Sequence, residues 1–237
     1  MKKIMFNDRF GLTEAVLNRQ KTMTRRIAYK KELTHELQTG WDDGGHFLML
    51  DGDKTVARSA YHIGEEVAIA QSYATVQKEM KRFRAILNKL DDYQYEFFRI
   101  ETLYNNNIES LPAWTNKLFV RSDLMPHSIR ITGIKLERLQ DISEADCRRE
   151  GIIPITWRQY HKQALDDLSP QRYTDHHVYT LEKFREGISD PWADSDPDEY
   201  LAETPQIAFA VLASKTMGRK VWEQNPYVFV YTFALLK

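Results

Sequence analysis

The stretch Leu17-Asn18-Arg19-Gln20-Lys21-Thr22-Met23-Thr24-Arg25-Arg26 follows a short amphipathic segment. Its last six residues include one lysine, two threonines and two arginines. In an extended segment this alternation sends hydroxyls and cations to fixed faces of the pleat. A solvated charge run is the alternative interpretation, but such a run has no need of hydroxyls at this spacing. The pattern therefore indicates an anion-binding or catalytic segment.

Composition limits what surrounds this segment. The chain has 237 residues, 42% of them hydrophobic, which is enough for a real core in one large domain or two small ones. The net charge is −1, so nucleic acid could be held only by a local basic patch. The single cysteine, Cys147, fits a reducing compartment. Without a signal peptide or a long apolar run, we expect a cytoplasmic protein that does not enter a membrane.

Hydrophobic periodicity predicts the secondary structure around the segment. Asn18 is predicted to end the first helix in the left-handed conformation. Ser143 is predicted as the N-cap of a short helix that Gly151 stops, with Glu150 at its last position. Residues 4–18 are predicted to begin with a short apolar piece and to continue as a helix. Further helices are predicted over 75–92, 143–150, 157–168 and 206–214, and strands over 47–50, 67–70, 129–139 and 227–233.

Taken in order, several motifs resemble the ASCH family of the PUA-like superfamily, in particular its longer phage and prophage members. Four positions depart from the family's pattern: Arg19 and Gln20 replace a frequent glycine and arginine, Gln71 a glutamate, and His127 an arginine. The matching residues are Lys21–Arg26, Ile63–Val67, Met125-Pro126 with Ser128–Ile131, Leu139–Ser143 through Glu150–Ile152, and Trp222 with Asn225–Val228.

The resemblance implies an α+β fold, in which a small mixed β-barrel is flanked by helices and a cleft lies beside the lysine-threonine segment. The whole chain, 1–237, would be one domain. Two largely helical insertions, about 75–110 and 153–205, would extend the small core of the family.

Three functions follow as hypotheses. The first is binding of RNA or a modified nucleotide beside Lys21–Arg26, with phosphate held by Thr22, Arg25, Arg26 and Arg130. The second follows from a small bacterial member of the family that deacetylates acetylcytidine with a lysine, a threonine and a glutamate. Matched onto this chain, these are Lys21, Thr24 and Glu150. The third is a phage accessory protein that acts through protein contacts on its insertions.

No cofactor and no metal site is predicted. Four residues are candidate metal ligands: His161, Asp175, His176 and His177. They lack a helical pair of histidines at four-residue spacing, so histidines on the surface or in the core are favoured over a metal site. The sequence leaves the oligomeric state open.

Overall fold

The computed structural model describes residues 1–79, 108–159, 174–181 and 202–236. Their contacts divide the chain into two compact units. The first unit consists of Met1–Phe6, Ile63–Thr132 and Phe233–Lys237, and the second of Asn7–His62 and Gly133–Thr232.

The described residues form a mixed α+β fold. The strands are β1 Lys2–Ile4, β2 Met23–Tyr29, β3 Leu37–Trp41, β4 His46–Asp51, β5 Lys54–His62, β6 Glu66–Ile69, β7 Ser128–Arg138, β8 Ile152–Gln159, β9 Thr174–Leu181 and β10 Tyr227–Leu235. The α-helices are α1 Leu12–Leu17, α2 Glu144–Arg149, α3 Pro205–Met217 and α4 Val221–Gln224, and residues 73–79 are also helical. Single 3-10 turns occupy Asp8–Phe10, Ile108–Ser110, Pro112–Trp114, Lys117–Phe119, Ser122–Leu124 and Leu139–Asp141.

Three sheets organise the strands. The largest has the order β1-β6-β7-β10-β2, and its strands β7 and β10 each run from one unit into the other. Strands β3, β4 and β5 form an antiparallel sheet, and β8 pairs with β9. In the described part of the chain no closed barrel forms, because the end strands β1 and β2 do not pair with each other. The implied barrel is thus corrected to open sheets.

The C-terminal predictions are confirmed. Strand β10 buries the consecutive residues Val228–Tyr231, as expected of a strand covered on both faces. Thr204 caps helix α3, because its side chain accepts a hydrogen bond from Ile207 N, and Pro205 is the first residue of the helix. It buries Phe209 against the core of the second unit.

The N-terminal helix prediction is partly wrong. Residues 2–4 form β1, and the helix is confined to α1 because Gly11, with φ of 65°, separates it from the preceding 3-10 turn. Asn18 has a φ of −84°, so it does not take the left-handed conformation. Arg19 takes it instead, with φ of 61°.

The described part of the second insertion is a strand pair rather than helical. Residues 157–159, predicted as the start of a helix, belong to β8, where they pair with β9. Residues 160–168 lie outside the described residues, as does most of the predicted helix over 75–92. The insertion boundaries and the single-domain organisation stay predictions. No helix in the described residues is long and apolar enough to cross a membrane.

Candidate functional site

The Lys21–Arg26 segment lies in the second unit, where it enters strand β2. Backbone hydrogen bonds fix its start: Lys21 N donates to Ala15 O at 2.9 Å, and Thr22 N donates to Arg149 O at 2.9 Å. From Met23 onward the chain is extended. The predicted alternation is therefore confirmed, and successive side chains point to opposite faces of the strand.

Lys21 is buried against the end of helix α2. Its ammonium donates to the backbone oxygen of Glu150 at 2.9 Å and contacts the carboxylate of the same residue. Only 2% of Lys21 and 3% of Glu150 are exposed. Burial lowers the pKa of Lys21, and attraction to Glu150 offsets only part of that effect. The two residues form a buried ion pair.

Arg25 is fully buried and makes five hydrogen bonds within the protein. The acceptors are Glu137 Oε1 (3.0 Å from Nε, 2.6 Å from Nη2), Asp146 Oδ2 (3.2 Å), Glu150 Oε1 (3.0 Å) and Met23 Sδ (3.4 Å). Burial lowers the pKa of Arg25, but attraction to Glu150 and Glu137 outweighs it, so the pKa is raised. Because a guanidinium has five N–H groups, Arg25 keeps none for a phosphate. These N–H groups therefore serve contacts within the protein, and the predicted role of Arg25 as a phosphate donor stays a prediction.

Lys135 extends these contacts toward solvent. Its ammonium lies 2.7 Å from Glu137 Oε2 and 2.9 Å from Asp146 Oδ2, and its side chain is 49% exposed. We call the resulting group the ion cluster; its three cations and three carboxylates are Lys21, Arg25, Lys135, Glu137, Asp146 and Glu150.

Helix α2 delivers two of the three carboxylates. Ser143 caps it as predicted, since its hydroxyl accepts from Asp146 N at 3.1 Å. Gly151, with φ of 103°, ends it as predicted and turns the chain away. Asp146 and Glu150 are four residues apart, so both face Arg25 from one side of the helix.

The opposite face of β2 carries Thr24 and Arg26. Arg26 Nη1 donates to Thr24 Oγ1 at 2.8 Å and to Arg25 O at 3.0 Å. Burial lowers the pKa of Arg26, although Glu150, Tyr61 and Tyr231 attract its charge. Thr24 is buried, whereas Arg26 is partly exposed.

Two tyrosines lie beside this face. Tyr231 is opposite Thr24 across the β2–β10 pair, and its ring meets that of Tyr61 edge-on at 5.3 Å. The Tyr231 hydroxyl accepts from Ala60 N at 2.8 Å. Burial raises the pKa of Tyr231 to about 12, so its hydroxyl stays protonated at neutral pH.

The predicted site residues are therefore only partly assembled. Lys21 and Glu150 meet, but in the described part of the chain no hydrogen bond joins Thr24 to either of them. Thr22 is partly exposed beside Arg149. Arg130 belongs to the first unit, where it is exposed and opposite Glu66.

Three members of the ion cluster were not predicted: Lys135, Glu137 and Asp146. Residues two apart on a strand share a face, which could have paired Lys135 with Glu137. Four-residue spacing on a helix could have paired Asp146 with Glu150. The sequence offered no signal that these pairs meet Arg25.

The described residues contain no group of three or more histidine, cysteine, aspartate or glutamate side chains that could hold a metal ion. His161 and the side chains of Asp175, His176 and His177 lie outside that description.

Comparison of the chain with protein-family models, curated proteins and solved structures found no match. The resemblance to the ASCH family therefore rests on the sequence motifs alone.

Proposed function

We propose that the chain is a cytoplasmic, ASCH-like protein whose second unit binds a nucleotide-like ligand, free or within RNA, beside Lys21–Arg26. One observation carries this proposal: four residues of the segment are buried, whereas Thr22 and Arg26 are partly exposed. Lys21 and Arg25 are held by carboxylates. Thr22 and Arg26 are partly exposed and supply a hydroxyl and a guanidinium, the groups that commonly contact phosphate.

The ion cluster supports this proposal because burying charged groups is energetically unfavourable. Buried ion pairs are often no more stabilising than apolar residues of similar size, so they are weak devices for stability alone. Strongly perturbed ionisable groups concentrate at functional sites. Here the cluster fixes β2 from one face, which holds Thr24 and Arg26 in place on the other. A ligand that meets preorganised groups loses less free energy in ordering them.

The lowered pKa of Arg26 also supports phosphate binding at this position. Burial lowers its pKa, so its surroundings only partly compensate the loss of water. An anionic phosphate beside the guanidinium would stabilise the charged form. Because Arg25 is saturated with carboxylates, Arg26 takes the phosphate role that the sequence had shared between the two arginines.

The test compares Arg26→Ala with Arg219→Ala, which removes the same charge from an exposed position of the second unit. Fluorescence anisotropy with a labelled short RNA and competition by nucleoside monophosphates measure binding. Arg26→Ala should weaken binding about tenfold, the effect of one charge-assisted hydrogen bond, while Arg219→Ala should bind as the wild type does. Affinity should fall with salt on a shallow slope of roughly two to four ions. Equal binding by both variants would reject this site.

A second candidate is an amidohydrolase that deacylates an N-acylated nucleoside such as acetylcytidine. The specific observation in its favour is the buried Lys21 amine, whose pKa is lowered and which contacts Glu150. A neutral amine can serve as the base that activates a threonine hydroxyl. In this mechanism Thr24 would exchange its contact with Arg26 for one with Lys21 and attack the acyl carbon. Glu150 would then protonate the leaving amine, and water would hydrolyse the acyl-threonine ester to release the acid and regenerate the Thr24 hydroxyl.

Hydrolysis of acetylcytidine and a small panel of N-acylated nucleosides separates the two candidates. Wild-type turnover that is lost in Lys21→Ala, Thr24→Ala and Glu150→Ala supports the hydrolase. Thr24→Val, which keeps the shape of the side chain, should also be inactive. Ligand binding without turnover on any substrate leaves the binding function alone.

A further inference from the structure

Gln71 follows strand β6 in the first unit and is 2% exposed. Its Nε2 donates to Glu79 Oε1 at 2.9 Å, and its backbone N donates to Met125 Sδ at 3.3 Å. Its side-chain oxygen, Oε1, is buried and has no hydrogen-bond partner among the described residues. Leaving a buried acceptor unsatisfied destabilises the fold, so this oxygen requires an explanation.

The orientation of the amide is fixed by its neighbour. Exchanging the oxygen and nitrogen positions would place the amide oxygen against the Glu79 carboxylate, where both groups accept and neither donates. The amide nitrogen of Gln71 is therefore the group bonded to Glu79, and Oε1 is left as an acceptor.

This acceptor is itself buried, but two residues near it are partly exposed to solvent. The side chain of Glu79 is 41% exposed and that of His127 is 30% exposed, and His127 Nε2 lies 3.7 Å from Glu79 Oε2. The three residues, which we call the Gln71 cluster, thus connect a buried amide to the surface. A hydrophobic cluster that includes Ala70 and Tyr73 packs beside it in the same unit.

We propose that the Gln71 cluster binds the ammonium group of a small primary amine, with Gln71 Oε1 and the Glu79 carboxylate as acceptors. An ammonium has three N–H donors and no acceptor, which matches a site that offers acceptors. A hydrogen bond between ionised groups is about twice as strong as a neutral one, so the carboxylate favours a charged donor over a neutral amide. This site is independent of the function proposed for the second unit.

An ordered water would also satisfy Gln71 Oε1, but it would confer no preference for a cation. The probe is therefore n-butylammonium at pH 7, and the matched neutral control is n-butanol. Amide-detected NMR follows the side-chain NH₂ of Gln71 and the backbone amides of both units. The ammonium should cause saturable shifts confined to Gln71, Glu79, His127 and their neighbours, and butanol should not.

Variants decide which groups bind. Gln71→Met, of similar size but apolar, and Glu79→Gln should each weaken binding about tenfold, as expected for one charge-assisted hydrogen bond. Glu109→Gln removes an exposed carboxylate from the same unit and should bind as the wild type does. Glu79 is itself substantially exposed, so Glu79→Gln decides the question if Gln71→Met does not fold. Equal shifts with butanol, or wild-type affinity in Glu79→Gln, would overturn the proposal and assign the oxygen to water.

Discussion

Replacing Glu150 with glutamine removes the carboxylate that contacts both Lys21 and Arg25 while keeping the size of the side chain. Arg25 retains Glu137 and Asp146. Lys21 retains only a backbone oxygen among its described partners. Its ammonium becomes a buried charge without a counterion, so the folded variant releases the proton rather than keep the charge.

The magnitude follows from the ordinary pKa of a lysine, 10.5. Neutralising it costs about 1.4 kcal/mol per pH unit below that value, which limits the penalty to about 5 kcal/mol at pH 7 and about 2 kcal/mol at pH 9. The pH 7 value is similar to the 3–5 kcal/mol expected for breaking a buried ion pair. Because the unfolded variant keeps a proton that the folded variant has lost, its free energy of unfolding rises with pH.

Urea unfolding of wild type and Glu150→Gln at pH 7 and pH 9 measures this difference. Glu223→Gln, an exposed position in helix α4, serves as the control and should lie within about 0.5 kcal/mol of the wild type at both pH values. A deficit below about 1 kcal/mol at pH 7, or one that does not shrink with pH, would refute the reasoning. Lys21 would then already be uncharged in the wild type.

Three further variants test local structure by urea unfolding at pH 7. Ser143→Ala should lower the free energy of unfolding by about 1 kcal/mol, because Asp146 N loses its acceptor; no change would contradict the cap. Gly151→Ala should lower the free energy of unfolding by about 1–3 kcal/mol through backbone strain, because φ is 103°. Steric clash does not contribute, since an added Cβ meets only ordinary contacts at 3.7 Å and beyond; wild-type stability would contradict this conformation. Tyr231→Phe should lower the free energy of unfolding by about 0.5–1.5 kcal/mol, because it removes the hydrogen bond that the Tyr231 hydroxyl accepts from Ala60 N, and an unchanged midpoint would contradict that bond.

Features that depend on neighbouring residues were predictable from the sequence. The cap at Ser143 and the stop at Gly151 require only local backbone chemistry. The extended Lys21–Arg26 segment and the doubly buried strand β10 follow from the period of polar and apolar residues. In each case the signal lies within a few positions of the element that it specifies.

Features that depend on distant partners were not predictable. Arg25 and Glu137 are 112 positions apart, and no local pattern shows that they meet. The start of the predicted helix over 157–168 is a strand because β8 pairs with β9, a choice made by tertiary contacts. The left-handed residue is Arg19 rather than Asn18 because Asn18 N still donates to Glu14 O, while the bonds from Arg19 N to Val16 O and from Gln20 N to Ala15 O close the helix one residue later.

Arg25 and Arg26 show how much of a motif's role can be predicted without knowledge of its tertiary contacts. They are adjacent and chemically identical, so both are predicted from the local pattern to bind phosphate. The pleat of β2 places Arg25 among three carboxylates and Arg26 beside Thr24 on the other face. A guanidinium surrounded by anions repels a phosphate through those anions, whereas one whose pKa is lowered by burial gains from it. A single position along the strand thus separates a residue that holds the strand from the residue that we propose binds a ligand.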